Sequence, residues 1–124
     1  MDPDMLYASA ERFAGLALRD FAEGRYDMAV LHAGVMLEHL AKAYLTGLHP
    51  SLIVEAGSFD SLLLACGYKE LAAKPGTLRT IGLSEAVKRL AQTIQEFPYR
   101  KPQEELKSLV EARNGVAHAA MWDR

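Results

Sequence analysis

Apolar residues recur at helical intervals along most of the chain, and no stretch alternates with the two-residue period of a strand. A first helix is predicted to start at Asp2-Pro3, a capping carboxylate before a proline, and to end at Gly24. A second and longer helix is predicted from Tyr26 or Asp27 to about Leu45. Its predicted core face is a stripe of eight residues: Tyr26, Val30, Ala33, Leu37, Leu40, Ala41, Tyr44 and Leu48.

The other side of this second helix is not simply polar. It carries Met28, His32, Val35 and His39, so we expect the helix to be covered on two sides, by another helix or by another subunit. Glu38 and Lys42 are four residues apart, a spacing typical of an ion pair on a solvated face. A carboxylate and an amine on the central helix would alternatively support an active site.

The later elements are shorter. Ser58 is predicted to cap a short third helix that ends at Gly67, and Ser84 is predicted to cap a fourth. The fourth carries one apolar stripe, which is broken at Pro98: Val87, Leu90, Ala91, Ile94 and Phe97. Between these helices, 46–57 is interpreted as a loop, and 77–82 is ambiguous, with a loop that positions Arg79 as one interpretation.

A last helix is predicted to start at Pro102 and to carry an apolar face through Leu106, Leu109 and Val110 up to Arg113. The pattern as a whole predicts an all-α protein, an up-and-down bundle of four to five helices formed by one domain over residues 1–124. The chain stops six residues after His118, which would fit a domain excised from a longer protein.

Composition narrows the class of protein only moderately. The chain has 124 residues, half of them hydrophobic, which is enough for one domain with its own core. Its single cysteine, Cys66, forms no internal disulfide, fits a reducing cytoplasm and is expected to pack as a small hydrophobic residue. No apolar run approaches the ~18–20 residues of a membrane span, so we expect no membrane association.

The net charge of −2 argues against strong general binding to nucleic acid, but the charge is unevenly distributed. Residues 1–68 hold 4 Lys/Arg against 9 Asp/Glu, whereas residues 69–118 hold 9 against 6. A local basic face in the second part would attract phosphates on an otherwise acidic protein. A mixed, solvated surface is the alternative interpretation.

Residues suited to phosphate chemistry cluster at the end of the last helix: Arg113, Asn114, Gly115 and His118. A guanidinium matches phosphate oxygens, and a histidine gives or takes a proton near neutral pH. On a straight helix, however, Arg113 and His118 lie about 140° apart. Either Asn114-Gly115 bends or ends the helix, or a second protomer completes the site. The alternative is a simple helix C-cap with both side chains facing water.

Two segments together resemble the HEPN family. The first is the run from Glu23 to Ala33, continued by Leu37 to Leu45; the second runs from Glu111 to His118 and contains the family's Arg, polar residue, short spacer and His. The resemblance implies a helical bundle that dimerises, with Arg113, Asn114 and His118 of both subunits facing one cleft. Many members are metal-independent endoribonucleases of toxin–antitoxin, phage-defence and RNA-processing systems, and others are binding modules.

The resemblance makes an endoribonuclease our leading hypothesis, with an RNA substrate, a homodimer, and neither a metal nor a cofactor. A nucleotidyltransferase-like antitoxin is a partner seen in that family, where it modifies a tyrosine two residues after the histidine; here that position holds Ala120. The alternative hypothesis is a non-catalytic module that dimerises or binds a nucleotide or protein. A third hypothesis is a metal site between His32 and His39, which are seven residues apart on one helix face.

Overall fold

The computed structural model describes residues 2–73, 78–94, 104 and 107–116. Its α-helices are α1 (Pro3–Ala22), α2 (Tyr26–Leu48), α3 (Phe59–Ala65), α4 (Leu83–Thr93) and α5 (residues 107–116). Two short 3₁₀ turns, Pro50–Ile53 and Lys69–Leu71, lie in the connections. The predicted all-helical bundle is therefore confirmed. None of the helices in the described ranges is long and apolar enough to cross a membrane.

Helices α1 and α2 form an antiparallel hairpin. Asp2 caps α1, as predicted, because its Oδ1 accepts the backbone N–H of Asp4 at 2.9 Å. Gly24 stands in the link with a φ of 76°, a conformation that favours glycine. Ser9 in the first half of α1 contacts His39 in the second half of α2, and Phe21 at the end of α1 packs edge-on against Tyr26 at the start of α2. Two long helices packed in this way form the base of the bundle.

The core lies where α2 meets α4 and the irregular segments before each of α3 and α4. Its buried members are Ala41, Leu45, Ile53, Ile81 and Ala86. An isolated antiparallel bridge joins Val54 to Thr80, and the guanidinium of Arg89 donates to the carbonyls of Leu52 and Val54 at 2.9 Å each. These bonds fix the connection after α2 and bring it into the core. The connection was predicted over 46–57, but α2 continues to Leu48, so the irregular segment begins only at His49.

The predicted core face of α2 is only partly correct. Ala41 is buried, but four other members of that stripe are exposed: Tyr26, Leu40, Tyr44 and Leu48. The later elements cover α2 on the side of Gly34 and Leu45, and α1 covers it on the side of His32 and His39. The helical wheel therefore placed the buried face on the wrong part of the helix surface. Tyr26 instead borders an open apolar groove, which is described below.

Four further predictions concern caps and burial. Ser58 caps α3 and Gly67 follows it with a φ of 86°, both as predicted. Ser84 does not cap α4, since Gly82 is the N-cap and Ser84 lies in the first turn. Cys66 is exposed, so the prediction that it packs as a small hydrophobic residue is wrong. Phe97, Pro98, Pro102 and Leu106 lie outside the described residues.

Candidate active site

Arg113 lies on α5 and packs its aliphatic stem directly over Gly34 in the middle of α2. A β-carbon added at Gly34 would overlap the Cγ of Arg113 and lie 3.2 Å from its Cβ and 3.3 Å from its Cδ. Those are atoms of the side-chain stem, which cannot swing aside as a flexible tip can. Only glycine at this position of α2 lets α5 approach so closely.

The head group of Arg113 is held by the next residue along the chain. Its Nη1 donates a hydrogen bond to Oδ1 of Asn114 at 3.1 Å. Arg113 is half-buried and Asn114 is exposed. Within the described ranges no carboxylate forms an ion pair with this guanidinium, whose planar set of N–H donors matches the oxygens of a phosphate or carboxylate.

One of the two arrangements proposed from the sequence required α5 to bend or end at Asn114-Gly115, and the structure shows no helix end there. Residues 107–116 are continuously helical, and Gly115 has no positive φ, so Asn114-Gly115 does not terminate α5. His118, the third predicted site residue, lies outside the described residues. Of the predicted trio, the structure therefore places Arg113 and Asn114 together.

Asn114 also borders a groove between α4 and α5 with a volume of about 590 Å³. Its described walls comprise Ser84, Val87, Lys88, Ala91 and Gln92 from α4, and Lys107, Val110, Glu111 and Asn114 from α5. Arg79, which a loop was predicted to position, is not among them. It lines a different pocket with Glu55 and Asp60, and its backbone N–H donates to Ser61.

Glu38 and Lys42 do not form the solvated pair that their spacing indicated. The side chains are 19% and 8% exposed, and Lys42 Nζ donates both to Glu38 Oε2 at 3.4 Å and to Thr80 Oγ1 at 3.1 Å. This lysine therefore ties α2 to the segment before α4. Glu38 lies one turn after Gly34 on α2, which is the face on which Arg113 rests.

A second polar cluster, which was not predicted from the sequence, joins α1 to α2. Asp20 is buried, and it accepts hydrogen bonds from Nδ1 of His32 at 2.5 Å and from the guanidinium of Arg25 at 2.9 and 3.2 Å. The hydrogen bond from His32, followed by that from Arg25, holds the pKa of Asp20 below its usual range although burial opposes this. A charged residue on the otherwise apolar side of an amphipathic helix was the available signal.

The two histidines of α2 do not converge on a common point. His32 is bound to Asp20, whereas Nδ1 of His39 lies 2.7 Å from Oγ of Ser9. The ring of Phe13 packs against both, with centroid distances of 5.6 and 5.9 Å. Among the described residues no three His, Cys, Asp or Glu side chains are grouped to hold a metal ion. The hypothesis of a metal site at His32 and His39 finds no supporting geometry.

A third feature is a wholly apolar groove of about 510 Å³ on the α1–α2 hairpin. Its walls include the exposed side chains of Leu18, Phe21 and Tyr26, and Leu109 of α5 closes one side. The same helix that carries Arg113 thus borders both this apolar groove and the groove next to α4. No family model, curated protein or solved structure matches the chain.

Proposed function

We propose that this protein is a metal-independent endoribonuclease of the HEPN type, acting as a toxin or in phage defence or RNA processing. Arg113 would bind the scissile phosphate, Asn114 would orient the reacting groups, and His118 would transfer protons. The observation that carries the proposal is the packing of Arg113. Its stem lies on Gly34 and its head group is bonded to Asn114, and in the described part of the chain no carboxylate pairs with this head group.

The reaction follows from the substrate and these residue types. The 2′-hydroxyl of RNA attacks the neighbouring phosphorus, so a 2′-oxygen–phosphorus bond forms and the bond to the 5′-oxygen of the next nucleotide breaks. The products are a cyclic phosphate and a 5′-hydroxyl. A histidine accepts the proton of the attacking hydroxyl or supplies one to the leaving oxygen. A guanidinium stabilises the charge that grows on the phosphate oxygens.

The spacing of Asn114 and His118 supports a shared site. His118 comes four positions after Asn114 in the sequence, and side chains four positions apart share a face wherever a chain is α-helical. Arg113 is on a different face, but its guanidinium already reaches Asn114. Asn114 would therefore connect the phosphate-binding group to the proton-transfer group. A homodimer, and an antitoxin that controls the enzyme, complete the proposal.

Cleavage of RNA in EDTA by wild type, Arg113→Ala and His118→Ala tests the proposal. We expect wild type to cleave and each variant to lose cleavage while keeping its helical circular dichroism. Arg19→Ala is the matched control, because Arg19 is an exposed arginine on α1 away from this site, and it should cleave normally. Cleavage that survives both Arg113→Ala and His118→Ala would refute the assignment.

The apolar groove on α1–α2 favours a second candidate, a non-catalytic module that associates with another copy of itself. Exposed apolar patches of this kind mark association surfaces. Because Leu109 forms one wall, a second copy bound there would lie beside the helix that carries Arg113. Phe21→Glu should then convert a dimer into a monomer in sedimentation analysis. A stable dimer without RNA cleavage would favour this candidate over the nuclease.

A further inference from the structure

The groove between α4 and α5 is built from one continuous face of each helix. On α4 its residues recur at helical spacing from Ser84 to Gln92, and on α5 from Lys107 to Asn114. Apolar side chains form part of its lining: Val87, Ala91 and Val110. At about 590 Å³ it falls within the ~300–1,000 Å³ of sites that hold small organic ligands, which is enough for a nucleotide.

The charge of the groove suits a phosphate chain. Lys88 on one wall and Lys107 on the other are exposed, and neither forms an ion pair with the described residues. Glu111 is the one acid among the described walls. At the Asn114 end the groove meets the Arg113 guanidinium, through the 3.1 Å hydrogen bond between these two side chains. Two lysines therefore line the groove against one carboxylate, and the Arg113 guanidinium is bonded to the asparagine at its end.

We propose that this groove is the binding subsite for a single-stranded RNA segment next to the bond that is cleaved, with Lys88 and Lys107 contacting its phosphates. The inference rests on the proposed function, because it takes Arg113 to be the group that binds the scissile phosphate. The nucleotide next to the phosphate that Arg113 binds lies in the groove between the two lysines, and its base packs on the aliphatic lining.

The chemistry of the walls also predicts that the subsite does not distinguish between base sequences. Among the described walls there is no aromatic ring or arginine on which a base stacks strongly, and the polar groups are few: Ser84, Gln92 and Asn114. Phosphate contacts position a strand but carry no base information. The subsite should therefore bind different sequences with similar affinity and depend strongly on salt.

The test is fluorescence anisotropy with a labelled RNA that carries 2′-O-methyl groups throughout, so that it binds without being cleaved. Each phosphate neutralised on a single strand contributes about 0.7 to the slope of log affinity against log salt. We expect Lys88→Gln and Lys107→Gln each to lower that slope by about 0.7 and to weaken binding about fivefold at ~0.1 M salt. Glu111→Gln should strengthen binding, and Lys69→Gln, an exposed lysine outside the groove, should change nothing.

The outcomes separate this inference from the proposed function. Weaker binding by both lysine variants supports the subsite even if wild type cleaves no RNA, a result that would count against the nuclease alone. Conversely, wild-type cleavage together with unchanged binding and salt slope in both variants overturns the subsite and leaves the nuclease standing. Absence of any wild-type binding to the methylated RNA also overturns the subsite.

Discussion

Replacing Gly34 with alanine should move Arg113 and thereby test whether packing on Gly34 holds this arginine in the candidate site. The added β-carbon would overlap the Cγ of Arg113 and crowd its Cβ and Cδ at 3.2 and 3.3 Å. Because these atoms belong to the stem, relief requires a new side-chain rotamer or a shift of α5 away from α2. Either movement displaces the guanidinium from Asn114, so RNA cleavage should fall as it does in Arg113→Ala.

The expected stability change has two opposing contributions. Replacing glycine by alanine inside a helix stabilises it by about 0.5–1 kcal/mol, whereas forcing an extra methyl group into a packed contact costs about 1–3 kcal/mol. Gly15→Ala is the matched control, since Gly15 lies inside α1 and its β-carbon would meet nothing within 4 Å. The difference in unfolding free energy between the two variants, about 1–3 kcal/mol, measures the crowding alone.

Urea unfolding followed by circular dichroism measures these free energies, and a double-mutant cycle isolates the contact. In the Arg113→Ala background the Cγ and Cδ atoms are gone, so most of the penalty of Gly34→Ala should disappear. The reasoning fails if Gly34→Ala stabilises the protein as much as Gly15→Ala does. It also fails if the penalty is the same with and without the arginine side chain.

Two further perturbations address the polar clusters. Because the pKa of Asp20 is held down mainly by His32, its contribution to stability is present above the unfolded-state pKa of about 3.9 and is lost as the pH falls through the lower folded-state pKa. Asp20→Asn should therefore destabilise the protein at neutral pH but converge with wild type in acid, as urea midpoints across this range would show. Lys42→Met leaves Glu38 without its cation and should cost about 3 kcal/mol in urea unfolding. Adding Glu38→Gln should recover part of that loss, and no recovery would contradict the ion-pair explanation.

The sequence predicted the elements that local chemistry determines. Asp2 and Ser58 cap their helices with side-chain oxygens, and Gly24 and Gly67 adopt positive φ after the helices they end. Each signal acts within a few residues of the chain, so no knowledge of tertiary packing is needed to interpret it. The fold class followed from the same signals together with the helical period.

Burial was harder to predict, because it depends on which elements meet. Glu38 and Lys42 have the spacing of a surface pair, yet both side chains are largely buried, and Lys42 bonds to Thr80 in the segment before α4. Tyr26 and Leu40 fit the apolar stripe of α2 but lie beyond the part that the neighbours cover. A helical wheel gives the direction of an apolar face, whereas the width of the buried face is set by the helices packed on it.

The polar residues of the candidate site were predicted from the sequence, whereas the glycine that positions Arg113 was not. Arg113 and Asn114 have an evident chemical character, but the residue that positions Arg113 is Gly34, which has no side chain. A glycine in the middle of a long helix lowers helix stability and therefore indicates close packing against another element. That signal was present in the sequence, although it does not name the partner across the contact.

The position of α5 bears on the angle of about 140° that a straight helix would place between Arg113 and His118. Leu109 and Arg113 face the α1–α2 hairpin, whereas Lys107, Val110 and Asn114 face α4. Arg113 and a residue five positions later differ by about 140° on a helix, but Asn114 and that residue differ by only about 40°. Residues 107–116 are continuously helical, and the hydrogen bond from the guanidinium to Asn114 links the side of α5 that carries Arg113 to the side that faces α4. We therefore expect Asn114→Ala to impair cleavage by uncoupling Arg113 from the groove. Asn114→Asp would hold the guanidinium more tightly but place a carboxylate, in addition to that of Glu111, beside the phosphate.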